Sequence, residues 1–316
     1  MANLCISNLV YGNVYTHIFL NYHLKSVLEN ITEETNFNNS VYFIFTDGGN
    51  LDQIKAHENF IKLSTFIPMS FFVIQGGLNY QGRYHFQKVQ MQHTVKYALE
   101  HHLLMHISCA DMFYGPRFFT NALHYFSLGH EAIIVQPARV AFESAAPLLS
   151  GAALSADALF EVAFNNLHPL WTSANWDNPY FTNIPYHLIW SDEKSICFRG
   201  FSLSPLIVVP QEWMLSASGC ADMSFLPNLK NQYFSEDWTE MPCIELQQLM
   251  SFYPPFSRKC ANTGTLAQWA KKSIPPDNYA NLNRYMMFKK STDPINHELI
   301  TQSQIVVDSI LVELGK

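Results

Sequence analysis

The chain is predicted to be an α/β protein with a mostly parallel, doubly wound central sheet. Three observations predict this. Strand-like and helix-like segments alternate four times over about the first 110 residues. The strand-like runs are apolar on both faces, as in Val41 to Phe45, which suits parallel strands covered by helices. Two of the runs end in acids. The second run stops at Thr46-Asp47-Gly48-Gly49, and Leu103 to Arg117, LLMHISCADMFYGPR, stops at Asp111 before a loop with Gly115 and Pro116. Open sheets of this class bind ligands just outside the carboxyl ends of their strands.

Taken in order, residues 3–10 (NLCISNLV) read as the first strand and Tyr11-Gly12-Asn13 as a turn. Tyr15 to Leu28 has helical apolar spacing through Ile18, Phe19, Tyr22, Val27 and Leu28. A polar loop, Asn30 to Ser40, leads to the strand Val41 to Phe45. Leu51 to Leu63 reads as helix, and Phe71 to Ile74 as a strand closed by Gly76-Gly77. Arg83 to His102 is a long helical stretch running into the strand before Asp111.

The second half differs. Arg117 to Leu128 reads as a helix, with Pro116 near its start and Gly129 just past its end. Glu131 to Val135 reads as a strand. Ser155 can cap a helix that stops at His168-Pro169. Tyr186 to Trp190, Ile196 to Phe201 and Leu206 to Val209 suggest a mixed sheet with loops. Paired prolines (Pro254-Pro255, Pro275-Pro276) interrupt the chain. A last helix, His297 to Leu314, is expected to pack on the body. The expected division is residues 1–250 as one domain, split at 115/116, and 251–316 as a Pro-interrupted C-terminal helical extension.

Composition narrows the function classes. Only 14% of the 316 residues are charged and 48% are hydrophobic, so a large core is available. The net charge is −7 and no long Lys/Arg run offsets it, which argues against nucleic acid as a partner. No stretch reaches the ~18 uninterrupted apolar residues of a membrane span. The first residues lack the basic region of a signal peptide. A cytoplasmic location is therefore expected, with signal-less export left open. The six scattered cysteines form no CxxC pair and read as reduced thiols.

Several side chains are candidates for chemistry, each with a plainer alternative. Asp111 is either a ligand-site acid or a loop acid bonding nearby amides. Asp47 in Thr-Asp-Gly-Gly is equally a turn former. Arg139 can face a phosphate or pair with Glu143, four residues on. His168 suits a helix terminus or a substrate contact. Arg199, between Phe198 and Phe201, needs a partner if buried, either an acid or an anionic ligand. His101, His102 and His106 do not share a face, and no HExxH motif exists. No Gly-x-Ser-x-Gly elbow is present either.

The order of these elements resembles the nucleotide-binding half of GT-A-fold glycosyltransferases. The residues that carry the likeness are Tyr11-Gly12 with Tyr15, the segment Ser26 to Ile31, Thr46-Asp47, and Asp111-Met112-Phe113. Gly129 to Val140, Glu143, Leu167-His168-Pro169 and Phe198 to Leu206 add a similarity to a group of bacterial glycosyltransferase-like proteins. The resemblance covers roughly residues 5 to 250. It implies a GT-A type, Rossmann-like sheet whose residues 1–115 hold a UDP- or GDP-sugar and whose residues 116–250 face an acceptor.

The resemblance further implies that Tyr11, Gly12, Thr46 and Asp47 lie beside the base and ribose. Asp111 falls where the family's metal-binding acids lie, so a divalent cation (Mn2+ or Mg2+) is implied. Here Met112-Phe113 replaces the usual second acid, which puts that cation in question. Arg139 and Arg199 are the candidates for the donor phosphates. Glu236 and Asp237 are the candidates for the carboxylate that takes the acceptor's proton, chosen over Asp222 and Glu240. Tyr233 and Trp238 are candidates to stack on sugar rings. The resemblance leaves the acceptor open among a glycan, a lipid-linked acceptor and a protein. The alternative is a non-catalytic module of the same fold that binds a nucleotide or glycan.

Overall fold

The computed structural model describes residues 3–32, 35, 37–74, 80–178, 187–203, 205–216, 226–251 and 262–316. Gly76-Gly77, Tyr186, Ser204, Asp222 and Pro254-Pro255, all noted above, lie outside the described residues, as do two of the six cysteines, Cys220 and Cys260.

The chain is α/β, with a mostly parallel central sheet flanked by helices. Strands β1 (Leu4–Val10), β2 (Val41–Asp47), β3 (Met69–Ile74) and β4 (Leu104–Cys109) run parallel, in the order β3-β2-β1-β4. Strand β5 (Met112–Tyr114) turns away to a second sheet. β6 (Ala132–Ile134) returns to the first sheet, and β7 (Ala138–Ala141) joins the second. β8 (His187–Ser191) and β9 (Ile196–Gly200) form a hairpin. β10 (Pro205–Val208) inserts antiparallel between β4 and β6. β11 (Gln232–Phe234) lies parallel to β6 at the far edge, completing a seven-stranded sheet.

Alternation along β1 shows why helices cover both faces. Leu4, Ile6 and Val10 enter one core cluster with Ile18, Phe19 and Val27 of the helical stretch Asn13 to Glu29. Cys5 and Leu9 enter another with Met91, Val95 and Ala98 of the long helix Tyr80–Glu100. Successive side chains of a strand point to opposite faces, so both of its faces are apolar.

Two further sheets build on this frame. β12 (Cys243–Gln247) lies between β5 and β7, antiparallel to the first and parallel to the second. β13 (Met286–Phe288) pairs antiparallel with β9, opposite β8. The segment expected to be a Pro-interrupted helical extension also contributes a strand. Its helices Thr263–Ser273 and His297–Leu314 pack through Leu266, Ala270, Val307, Ile310 and Leu314 onto Leu188, Trp190 and Cys197.

Other expectations shift locally. The helix expected over Leu51 to Leu63 is two, Leu51–Ala56 and Glu58–Ser64, because His57 is extended and caps the second. The first helix carries one π turn at Phe19–His23, where the Leu24 N–H bonds back to the Phe19 carbonyl. Ser155 caps Ala156–Asn165 by accepting from the Ala158 amide. Among the described residues, no helix is long and apolar enough to cross a membrane.

Candidate functional site

The site lies where the parallel strands end. β1 ends at Val10, and Gly12 opens the first helix with φ +69°, a conformation that favours glycine. The Gly12 N–H points at Asp47 Oδ2, 3.5 Å away at the end of neighbouring β2. Asn50 Nδ2 donates to the other Asp47 oxygen at 3.0 Å. Thr46 is buried and its hydroxyl donates to the Asp47 carbonyl. The rings of Tyr11 and Tyr15 lie 5.9 Å apart beside this edge. Tyr11, Gly12, Thr46 and Asp47 thus lie together at one strand edge, the edge at which open sheets bind ligands.

Asp111 sits in the turn between β4 and β5, next to β1 in the sheet, and only 7% of it is exposed. Its carbonyl accepts from the Leu246 amide at 2.8 Å, which ties the turn to β12. Sequence reasoning missed what β12 brings. Glu245 is in register with Met112 on one side and Arg139 on the other. The small sheet therefore sets Asp111, Glu245 and Arg139 side by side. Arg139 Nε lies 3.3 Å from Glu245 Oε2, an ion pair rather than an aligned hydrogen bond. Gln247 Nε2 donates to Glu245 Oε1 at 2.6 Å.

Burial pushes the Asp111 carboxyl up to about 8, the Glu245 charge adds to this, and Arg139 opposes it. One cation, Arg139, thus stands against two acids, of which Asp111 is the buried one. The Tyr15 hydroxyl is raised by burial and then by the charges of Asp111, Tyr11, Glu245 and Cys109, which places it against the same group. Strongly perturbed acids in a crevice mark candidate functional sites.

Arg139 does not pair with Glu143, as the four-residue spacing suggested. Glu143 instead accepts from the Leu249 amide at 3.1 Å. His168 caps the short helix Pro169–Thr172, accepting from the Leu170 amide through Nδ1, while Nε2 faces the Gln248 carbonyl at 3.3 Å. Burial lowers its pKa, so it is a neutral, oriented ring.

The remaining candidates sit elsewhere. Arg199 is fully buried under the C-terminal helices. It donates to Ser303 Oγ and to the carbonyls of Leu282, Asn283 and Ile300, so its partners are internal. Asp237 accepts from the Thr239 amide and hydroxyl and pairs with Lys289 at 3.2 Å. Glu236 is exposed after β11, with one oxygen 3.2 Å from the Tyr285 hydroxyl. Trp238 cannot stack on a sugar. It is fully buried, donates to the Cys243 carbonyl and packs on Phe288. Tyr233 has one face covered by Tyr125 at 3.5 Å, and its hydroxyl donates to Glu240. His106 is buried against Tyr114, and no group of three His, Cys, Asp or Glu side chains is placed to hold a metal among the described residues.

The donor set still fits a cation shared with a ligand. Mg2+ and Mn2+ are commonly held by one or two carboxylates, with phosphate oxygens and water completing the shell. Asp111 and Glu245 are the two carboxylates that would contribute, Glu245 being paired with Arg139.

No protein-family model matches this sequence, and no curated protein matches it. A solved structure similar in part is described as a glucose-1-phosphate thymidylyltransferase from Bacillus anthracis in complex with sucrose. The two share 9% identity over 45% of this chain and 57% of that one, at a TM-score of 0.28. The chain thus spans little more than half of that relative's length, and a likeness this low carries no argument about activity.

Proposed function

We propose that the chain transfers a sugar from a nucleotide-diphosphate donor to an acceptor hydroxyl on a GT-A type fold. The observation that carries this reading is the shared edge at the carboxyl ends of the adjacent strands β1, β2 and β4. There the Gly12 turn and Asp47 share a sheet edge with the Asp111 turn, and Tyr15 of the first helix lies within reach of the charges of Asp111 and Glu245. Gly12 lets backbone approach a base or ribose, and a Cβ built on it meets no heavy atom within 4 Å, so the space before it is open. Tyr11 and Tyr15 supply an aromatic wall.

The diphosphate would lie against Arg139, whose planar fork suits phosphate oxygens. When bound, a divalent cation held by Asp111 and Glu245 would neutralise charge developing on the leaving diphosphate. Asp111 must lose its proton for that, so this step favours higher pH. Of the two acids after β11, Glu236 keeps an exposed carboxylate while Asp237 is engaged as a cap, so Glu236 would serve as base only for an acceptor that spans from β4 across β10 and β6 to that strand.

Titration calorimetry with UDP, GDP and CDP, with and without Mn2+, tests the donor site. Release of nucleoside diphosphate from a panel of sugar donors tests transfer. Binding without release would make the protein a nucleotide-binding module of the same fold. Absence of binding by all three nucleotides under both conditions would remove the assignment.

A further inference from the structure

A chain of buried polar side chains runs beneath the Asp111 turn, and it holds the turn by the carbonyls on both sides. His23 is fully buried, and its Nδ1 lies 2.8 Å from the Met112 carbonyl. That atom must carry the proton, since a carbonyl only accepts. Its Nε2 lies 2.7 Å from the Tyr42 hydroxyl, whose oxygen is also 2.5 Å from Asn8 Oδ1, so the single hydroxyl hydrogen is shared between these two acceptors. Asn8 Nδ2 donates to the Ser108 carbonyl at 3.1 Å. The Tyr114 hydroxyl joins the Ser108 hydroxyl at 2.5 Å and His106 Nε2 at 2.7 Å. Residues 108 and 112 bracket Cys109-Ala110-Asp111, so both ends of the turn are fixed from below, while Leu246 fixes Asp111 from the side.

The π turn explains how His23 reaches this place. An extra residue in one helical turn shifts the following side chains around the axis. Here it turns His23 inward, its ring stacked on Phe19 at 5.3 Å. The Leu20 carbonyl within that turn accepts from Asn59 Nδ2 at 2.9 Å. π turns are uncommon, and this one is tied at both the carbonyl and the imidazole.

We infer that His23, set by the π turn, is a positioning residue that locks the Asp111 turn in register with Glu245. This goes beyond the transfer reading and uses it only for the nucleotide arm of the test. Four full-length variants decide it: His23→Leu removes both polar contacts, His23→Asn returns a δ-nitrogen donor toward Met112, Tyr42→Phe breaks the chain one link on, and Val27→Ala is a control. Val27 is buried in the same helical stretch and has an apolar side chain. Amide hydrogen exchange is compared at denaturant concentrations giving equal global stability.

His23→Leu should speed exchange of the Leu246 amide and the Cys109 to Tyr114 amides at least tenfold, leaving β2 protected. His23→Asn should recover most of that protection, Tyr42→Phe should show a smaller local loss, and Val27→Ala should show none. Affinity for UDP or GDP with Mn2+ should fall about tenfold in His23→Leu and recover in His23→Asn. Exchange profiles that coincide for His23→Leu and Val27→Ala would overturn the inference. If the wild type binds neither nucleotide, the transfer reading falls while the exchange data still decide the role of His23.

Discussion

Arg139 and Glu245 stand opposite each other in a parallel register, with Nε 3.3 Å from Oε2, on the strand that brings a second acid's charge to Asp111. Exchanging either partner should move Asp111 in opposite directions. Glu245→Gln removes a repelling charge and should lower the Asp111 pKa from about 8. Arg139→Gln removes an attracting charge and should raise it. Carboxyl-detected NMR of both variants checks the signs. Each change should also cost about 2 kcal/mol of stability, between the values for exposed and buried pairs.

Stability should carry the mark of the proton on Asp111. Its carboxyl ionises near 3.8 in the unfolded chain and near 8 in the folded one. Between those values the folded chain binds more protons, so this contribution is full below the lower value and lost as pH rises through the upper one. Asp111→Asn lacks that slope. In the presence of a chelator, its melting temperature should gain on the wild type by several degrees across this window. Parallel curves would show that Asp111 is ionised throughout.

Two histidines act in the opposite sense. Burial brings His23 and His187 down to about 3 from 6.5, assisted by the neighbouring charges of His106 and Arg139 respectively. Their contribution is present above 6.5 and lost as pH falls toward 3. His187→Gln should therefore shift the midpoint of acid unfolding to lower pH, followed by tryptophan fluorescence. A midpoint that stays put would place His187 in contact with solvent.

Gly115 permits a close approach rather than a special backbone angle. A Cβ there would lie 2.7 Å from Pro242 Cγ and 2.8 Å from Leu159 Cδ2. The Gly115 amide donates to the Pro242 carbonyl at 2.7 Å, and its carbonyl accepts from Asn30 Nδ2. Gly115→Ala should destabilise by about 1–3 kcal/mol through overpacking. Chemical denaturation measures this, and an unchanged midpoint would mean that β5 moves freely against this contact.

Arg199 should matter for folding and not for nucleotide binding. Arg199→Met leaves the Leu282, Asn283 and Ile300 carbonyls and Ser303 without their donor. A loss of about 3 kcal/mol is expected. Calorimetry below the lowered melting point should return the wild-type nucleotide affinity. A selective loss of affinity would bring Arg199 back to the donor site.

The parallel strands were legible because each is a short, mostly apolar run, and the run before Asp111 announced its own edge. The helix His297–Leu314 was legible from its apolar spacing. Glu245 was not. Cys243-Ile244-Glu245-Leu246-Gln247 carries no local sign of its neighbours, and its partners Arg139 and Met112 are set by register across a sheet built from three distant segments. Arg139 and Glu143 have the spacing of a helical pair, but Arg139 lies on β7 and only Glu143 is helical, so the spacing carried no contact. The His57 break and the π turn depend on capping and on a tertiary hydrogen bond, which spacing alone does not encode.

The insertion of β10 between β4 and β6 governs the order in which the molecule can be assembled. β4 is complete at Cys109, yet its open side is closed only by Ile207 and Val208. During synthesis roughly a hundred residues must follow before that hydrogen-bonding edge is covered. β6 likewise waits for the same strand. Contacts this distant in sequence slow folding, and an open strand edge is a template for pairing with other chains. Truncations ending before Pro205 should therefore aggregate through β4, whereas those ending soon after Val208 should not.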